Sequence, residues 1–352
     1  MTITPTLVAS YPIPSGSNSR SSVDPTGPVP RLEVHDGTSL RLYDLREQAE
    51  LTAEFPAPGP EWWAPVWTAP DLSFAVFGAG DGYVAMAQDG TELWRQPYGT
   101  WRVDRWGHVL FTVTGADREL RIWLRLPSGL PDATVFLTLD AEGRVLARSV
   151  LECGGYERYA HLLLDADGEV IGVDVSGGSG PTTRHRLRRE SGALVLAEPL
   201  PQDTVPRLPA DRDYLDADSG NTRCMTVDRR GRDISWHAVP SYEVTATLRL
   251  SDFPAPGTGD CSVHNDPSIS SWCRFVDDST VLVTLHNRYD EGAVLLFGEQ
   301  DWREYSHWLA DPATGALHGR LEYPMSEVDY VLPLGDGTWL TQEWNAYRRW
   351  RR

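Results

Sequence analysis

Lysine is missing altogether: all 32 basic residues among the 352 are arginine. That excludes Schiff-base chemistry, a phosphate-loop lysine and a catalytic amine. Positive charge is in short supply as well. Fifty acidic residues give a formal net charge of −18, which opposes general binding to nucleic acid or to an anionic membrane surface. Apolar runs extend over only a few residues, so no membrane span is expected. Cysteine is sparse. Cys153, Cys224, Cys261 and Cys273 are scattered with no C-x-x-C among them, so reduced core thiols are expected rather than disulfides or zinc ligands. The motifs G-x-S-x-G, H-E-x-x-H, G-x-G-x-x-G and G-x-x-x-x-G-K do not occur. Residues 1–30, rich in Ser, Pro, Thr and Gly, lack a basic stretch followed by an apolar one. They read as a disordered or draped arm rather than a secretory signal, and the cytoplasm is the expected compartment.

What is abundant is turn chemistry. Gly (31) and Pro (26) interrupt the chain about once in six residues, which argues against long helices and for many short strands. Turns ending in glycine recur at Gly37, Gly90, Gly143, Gly192 and Gly315, with first steps of 53, 53 and 49 residues. In these turns an Asp side chain can bond the backbone two residues on while Gly takes positive φ. A second set, at Gly168, Gly231 and Gly337, lies out of phase. Two tight turns per period of about 50 residues implies four strands per period, the unit of a β-propeller blade.

The strands support this. Leu120, Ile122, Leu124 and Leu126 alternate with polar or large residues, and so do Val244, Ala246, Leu248 and Leu250. Val135–Leu139 is apolar but for Thr138 and Leu162–Leu164 is apolar throughout, which suits strands covered on both faces. Most of the 14 Trp residues are expected between stacked sheets. Asp44–Leu51 and Asp301–Leu309 have helix-forming residues but fit strands equally well. The expectation is all-β: a single β-propeller over residues 31–352. Its 322 residues give about 54 per blade for six blades, the preferred count, with seven as the rival. The ring would be closed by N- and C-terminal strands, with Leu32–His35 and Ser39–Tyr43 as the N-terminal pair.

Ala310-Asp311-Pro312-Ala313-Thr314-Gly315 resembles the last turn of the quinoprotein repeat, and Ala87–Trp94 is a shortened version. His161–Val170 looks like the first hairpin of an NHL-type blade. The repeats thus resemble the quinoprotein, WD40 and NHL propellers. The resemblance implies the fold and is nearly silent on function. The adjacent Cys–Cys pair of quinoprotein dehydrogenases is missing, so no quinone is carried over and no cofactor is expected beyond a possible divalent metal.

Three long connections stand out: Thr52–Asp71, Pro199–Thr222 and Ser251–Ser271. The string Phe-Pro-Ala-Pro-Gly occurs in the first and third, at 55–59 and 253–257. Such connections are expected on one face, over a central funnel. The second holds the acid-dense Asp211–Asp218 stretch, read as a solvated loop with calcium binding as the alternative. His161, His264 and His286, with Asp266 or Asp290, are the candidate catalytic or metal-ligating residues. Trp62, Trp63, Tyr159 and Trp344 are the candidate ligand-binding aromatics. The basic patches Arg184–Arg189 and Arg348–Arg352 read as partners for the acidic surface.

The expected function is a soluble recognition protein that takes a protein segment or small ligand on its loop-bearing face and funnel. The alternative is a funnel-site hydrolase, lyase or isomerase using His/Asp chemistry, with or without a divalent metal. The sequence leaves open whether the chain is an enzyme.

Overall fold

A computed structural model describes the chain apart from residues 14–19, 25–28, 61–64, 98–107, 115–118, 127–132, 153–156, 165–169, 178–182, 191–192, 200–211, 221, 229, 240, 255–265, 271, 289–303, 326–327, 329–330 and 344–345. For most of 151–199 and a few other strand positions, Asp266 and Glu304 among them, only the backbone is described.

The described residues are all-β, with one short 3₁₀ turn at Leu250–Asp252. The stretches with helix-forming residues are not helical where described: Ser39–Leu45 and Ala49–Pro56 take up the first, joined by a turn at 46–48, and Glu304–Ala310 takes up the second from residue 304 on. The strands form seven sheets. Sheet 1 is Arg20–Asp24, Arg31–His35, Ser39–Leu45 and Ala49–Pro56. Sheet 2 runs from Val66–Thr68 through Ala75–Ala79 and Gly82–Met86 to Glu92–Pro97. Sheet 3 comprises His108–Thr114, Glu119–Leu126, Ala133–Leu139 and Val145–Glu152. Sheet 4 is Glu157–Leu164, Val170–Gly177, Thr183–Glu190 and Ala193–Pro199. Sheet 5 is Arg212–Ala217, Arg223–Asp228, Asp233–Ala238 and Val244–Arg249. In sheet 6 the first strand is split into Asp266–Ile269 and Arg274–Asp277. Thr280–Arg288, Glu304–Ala310 and Leu317–Leu321 follow, and Thr2–Ile3 adds in parallel at the outer edge. Sheet 7 takes Val331–Pro333, Thr338–Glu343 and Ala346–Arg351 from the C-terminus and Thr6–Tyr11 from the N-terminus.

Three expectations change. The strands make seven sheets where six blades were preferred. The six-fold division assumed that residues 1–30 added nothing, whereas they supply Thr2–Ile3, Thr6–Tyr11 and Arg20–Asp24 rather than an arm. Spread over the whole chain, seven sheets take about 50 residues each, the spacing of the turn glycines. The N-terminal strand on the C-terminal sheet is Thr6–Tyr11, while Leu32–His35 and Ser39–Tyr43 pair with each other inside sheet 1.

Neighbouring sheets stack through apolar faces. Leu40 and Phe55 of sheet 1 meet Phe77 and Val84 of sheet 2. Tyr83 and Ala85 of sheet 2 meet Val109 and Ile122 of sheet 3. Val145–Glu152 of sheet 3 lies against Ala193–Pro199 of sheet 4. Trp236 and Leu248 of sheet 5 pack with Val283 and Trp308 of sheet 6. Leu282 and Leu309 of sheet 6 pack with Trp339 and Trp350 of sheet 7. Tyr11, Leu340 and Tyr347 of sheet 7 return to Leu32, Val34 and Leu45 of sheet 1. Middle strands such as Ala75–Ala79 and Gly82–Met86 are buried on both faces and lose the alternating pattern. The outer strand Val244–Arg249 keeps it.

The Asp turns hold wherever they are described. Thr38, Thr91, Ala313 and Thr338 donate their backbone N–H to Asp36, Asp89, Asp311 and Asp336 two residues back, at 2.7 to 3.1 Å. Gly37, Gly90, Gly143, Gly231, Gly315 and Gly337 all have positive φ. At Gly143 the reason is double. Its φ is 77°, and a Cβ there would lie 2.2 Å from Cγ of Trp94, on the last strand of the preceding sheet.

Candidate functional site

Each sheet is a meander, so connections alternate between its two ends. Those joining strands one to two and three to four leave one end. Those joining strands two to three, and the fourth strand to the next sheet, leave the other. The two ends differ sharply in length. Connections at the first end span at most six residues between the strand limits. At the second end, residues 250–265 separate Arg249 from Asp266, residues 289–303 separate Arg288 from Glu304, and residues 200–211 separate Pro199 from Arg212. Of the connections expected from the sequence, residues 57–65, 200–211 and 250–265 leave this end. Within the expected ranges, however, 52–56, Val66–Thr68, Arg212–Ala217 and Asp266–Ile269 are strands, and the connection at 289–303 was not expected. The first strands of sheets 5, 6, 7 and 1 run side by side. Phe275 N–H donates to Asp216 at 2.9 Å between the first strands of sheets 6 and 5, and Ser21 Oγ on the first strand of sheet 1 donates to Gln342 on the second strand of sheet 7 at 3.4 Å.

Trp62, Trp63, His264, Asp290 and Trp344 lie outside the described residues. Tyr159 and His161 fall on the first strand of sheet 4 and Asp266 opens the first strand of sheet 6, described by backbone alone. His286 is described in full. It sits near the long-connection end of Thr280–Arg288, opposite Ser268 on one side and Tyr305 on the other. Its Nε2 is 3.1 Å from Ser268 Oγ.

The sheet builds a polar and aromatic column here. Thr284 and His307 form the next pair inward on the same face, buried to 2% and 3% exposure. Burial brings the His307 imidazole down to about 4, with the Arg320 charge acting in the same direction. Its Nε2 has no hydrogen-bond partner and its ring stands edge-on to Tyr323 at 6.2 Å. Tyr323 in turn accepts from Trp339 Nε1 at 3.0 Å. At the outer end, Trp272 stacks on Tyr305 with ring centroids 5.5 Å apart and 25° between planes.

Trp272 is 36% exposed because it rides on the break in the first strand. The break is fixed from inside. Cys273 Sγ donates to Ser270 O at 3.1 Å, Thr284 N–H donates to Cys273 Sγ, and Ser270 N–H donates to Thr284 O at 2.8 Å. Cys273 is fully buried, and burial pushes its thiol up to about 12, so it is a packing group rather than a nucleophile. Ser268, Trp272 and Tyr305 escaped the sequence reading. The only trace was an isolated Trp-Cys pair just past the third long connection.

The acid-dense stretch is not a free loop: Arg212–Ala217 is a strand. Asp216 accepts from Phe275, and Asp218 accepts from Thr222 N–H and Oγ1 at 2.7 Å and from Arg223. These two carboxylates are spent on protein donors. Glu33 similarly bridges sheets, accepting from Ser22 Oγ at 2.9 Å and Thr68 Oγ1 at 3.1 Å. Burial holds its carboxyl above the usual range. Among the described residues no group of three His, Cys, Asp or Glu could hold a metal, and no helix is long and apolar enough to cross a membrane.

No protein-family model matches the chain, and no curated protein matches it. Solved structures do. The WD40 domain of SCAP from fission yeast is 10% identical, over 98% of this chain and 97% of that one, with a TM-score of 0.50. Sqt1 of Saccharomyces cerevisiae is 12% identical, over 100% and 98%, with a TM-score of 0.51. The WD40 β-propeller domain of Doa1 is 8% identical, over 99% and 97%, with a TM-score of 0.52. The chain has the β-propeller fold. At such low identity the likeness extends to the fold alone. The long connections belong to one end of the propeller's sheets, and the Trp272–Tyr305 pair, with His286 and Ser268 beside it, stands at that end of sheet 6.

Proposed function

We propose that the chain is a recognition protein: a ring of seven blades, closed by Thr6–Tyr11 on Ala346–Arg351, that takes a protein segment on the face built by its long connections. The observation that carries this is the inequality of the two ends. Connections at one end span at most six residues, and Asp89, Asp140, Asp311 and Asp336 close turns there by accepting backbone N–H groups. At the other, connections of 12 and 16 residues lead into sheets 5 and 6 and one of 15 joins the second and third strands of sheet 6, and connections of that length in a small propeller are the usual place for a site. An exposed Trp stacked on a Tyr at that same end is the kind of anchor that dominates binding interfaces.

Site-specific photo-crosslinking tests the face. A benzophenone amino acid replaces exposed Thr38 or Asp81 at the long-connection end, or exposed Glu47 or Ala313 at the short-turn end. Discrete adducts in source cells from the first pair alone are expected. Adducts from the second pair alone would show that the wrong face has been chosen.

A second reading has one observation behind it. A Ser Oγ 3.1 Å from a His Nε2 is the contact of a nucleophile with its base, which favours a hydrolase using Ser268 and His286. A fluorophosphonate probe separates the readings. Labelling lost in Ser268→Ala and in His286→Gln supports the enzyme, and an unlabelled native protein removes it.

A further inference from the structure

We infer that the Trp272–Tyr305 pair is the seat for an arginine side chain of the bound segment, an inference that rests on the recognition face proposed above. A Trp ring backed by a Tyr ring and more than a third exposed offers solvent a broad π surface. A guanidinium is planar and weakly hydrated, and stacks on such a surface better than any other charged group. The remaining surroundings favour a cation over an anion. The chain as a whole carries −18. Outward of the pair the backbone register sets Asp266 opposite Arg288 and Glu304 opposite Asn287, two acids to one base. Arg274, on the strand that follows Trp272, is engaged elsewhere: it donates to Cys273 O at 2.8 Å, and its charge acts on Asp216.

The seat is also held still. The strand break that lifts Trp272 is locked by fully buried Cys273 and by Ser270, whose Oγ accepts the Trp272 N–H at 3.2 Å. Tyr305 stands in register with His286, which is bonded to Ser268. A platform already ordered before binding loses less entropy when the ligand arrives.

The test uses the full chain and a fluorescein-labelled octapeptide of alternating glycine and arginine, read by fluorescence anisotropy. The control peptide carries citrulline, which keeps the planar shape and loses the charge. The arginine peptide is expected to bind at least tenfold more tightly than the citrulline peptide. Trp272→Ala should weaken it at least tenfold, Trp272→Phe should keep most of the affinity, and Glu47→Ala, at the exposed short-turn end, should leave it unchanged. Tyr305→Ala provides the second variant where Trp272→Ala melts earlier than the native protein. Equal binding of the two peptides overturns the inference. So does arginine-peptide affinity that survives both aromatic-to-alanine changes, since that would be attraction to bulk negative charge. If that surviving peptide still competes with crosslinks from Thr38, the recognition face stands and only the arginine seat falls. A peptide that competes only with crosslinks from Glu47 or Ala313 brings down both.

Discussion

At the scale of single residues, the fold repeats one device. A carboxylate closes a hairpin by accepting backbone N–H groups, and a glycine supplies the positive φ. Asp36 shows what this does to the acid. Partial burial would raise its carboxyl, but the Thr38 side chain and N–H, the Ser39 N–H and the Arg41 charge bring it down to about 2. The glycines have a second duty where a turn leans on the preceding sheet. A Cβ at Gly315 would meet Thr247 O at 2.7 Å, and one at Gly143 would strike the Trp94 ring. Gly143→Ala therefore adds a left-handed backbone penalty to a steric clash, and should cost about 2 kcal/mol or more in chemical denaturation. Gly80→Ala is the control, because its Cβ would enter open space. Equal stability of the two variants would mean that the close approach to Trp94 contributes nothing.

Among elements, what could be read in advance was whatever rested on local chemistry. The Asp–Gly turns, the alternating strand at 244–249 and the doubly covered strand at 133–139 were visible because turn type and burial pattern are written in adjacent residues. The placement of Thr6–Tyr11 was not. Its partner is more than 300 residues away, and a Ser/Pro-rich neighbourhood masks a six-residue strand. Trp272 was missed for a related reason: it is exposed by a strand break, and nothing in Ser-Trp-Cys announces one. His286 was legible as a type and a strand end, but its partner Ser268 depends on cross-strand register. The join between the chain's ends rests on Arg349. Its guanidinium pairs with Asp336, donates to Leu45 O at 2.9 Å and Thr338 Oγ1 at 2.9 Å, and reaches Tyr11 Oη at 3.4 Å. Its side chain is only 13% exposed. Arg349→Ala leaves these acceptors without their donor in a nearly dry site, so a loss of about 2–4 kcal/mol is expected from thermal or urea unfolding. A change below about 0.5 kcal/mol would reduce the join to an ordinary surface ion pair.

For the whole molecule, the question is whether seven stacked sheets behave as a row or as a wheel. In a row each sheet leans on two neighbours except at the ends, and trimming an end costs only a local contribution. In a wheel every sheet has two neighbours, and opening it exposes two faces at once. Residues 1–13 are the piece that decides. They supply the last strand of sheet 7 and the outermost strand of sheet 6. They also bury Tyr11 and Ile13 against sheet 1, and Tyr11 Oη donates to Arg46 O at 2.8 Å. Removing them uncovers the strand edges at Ala346–Arg351 and Leu317–Leu321 and the apolar face of sheet 1 together. A chain lacking residues 1–13 should melt at least 10 °C lower and over a broader range. A synthetic peptide of those 13 residues, added in trans, should restore part of the loss by re-forming the strand. If the shortened chain melts as sharply and as high as the native one, the sheets hold one another as a row, and the face that gathers the long connections would have to be held together by something other than closure.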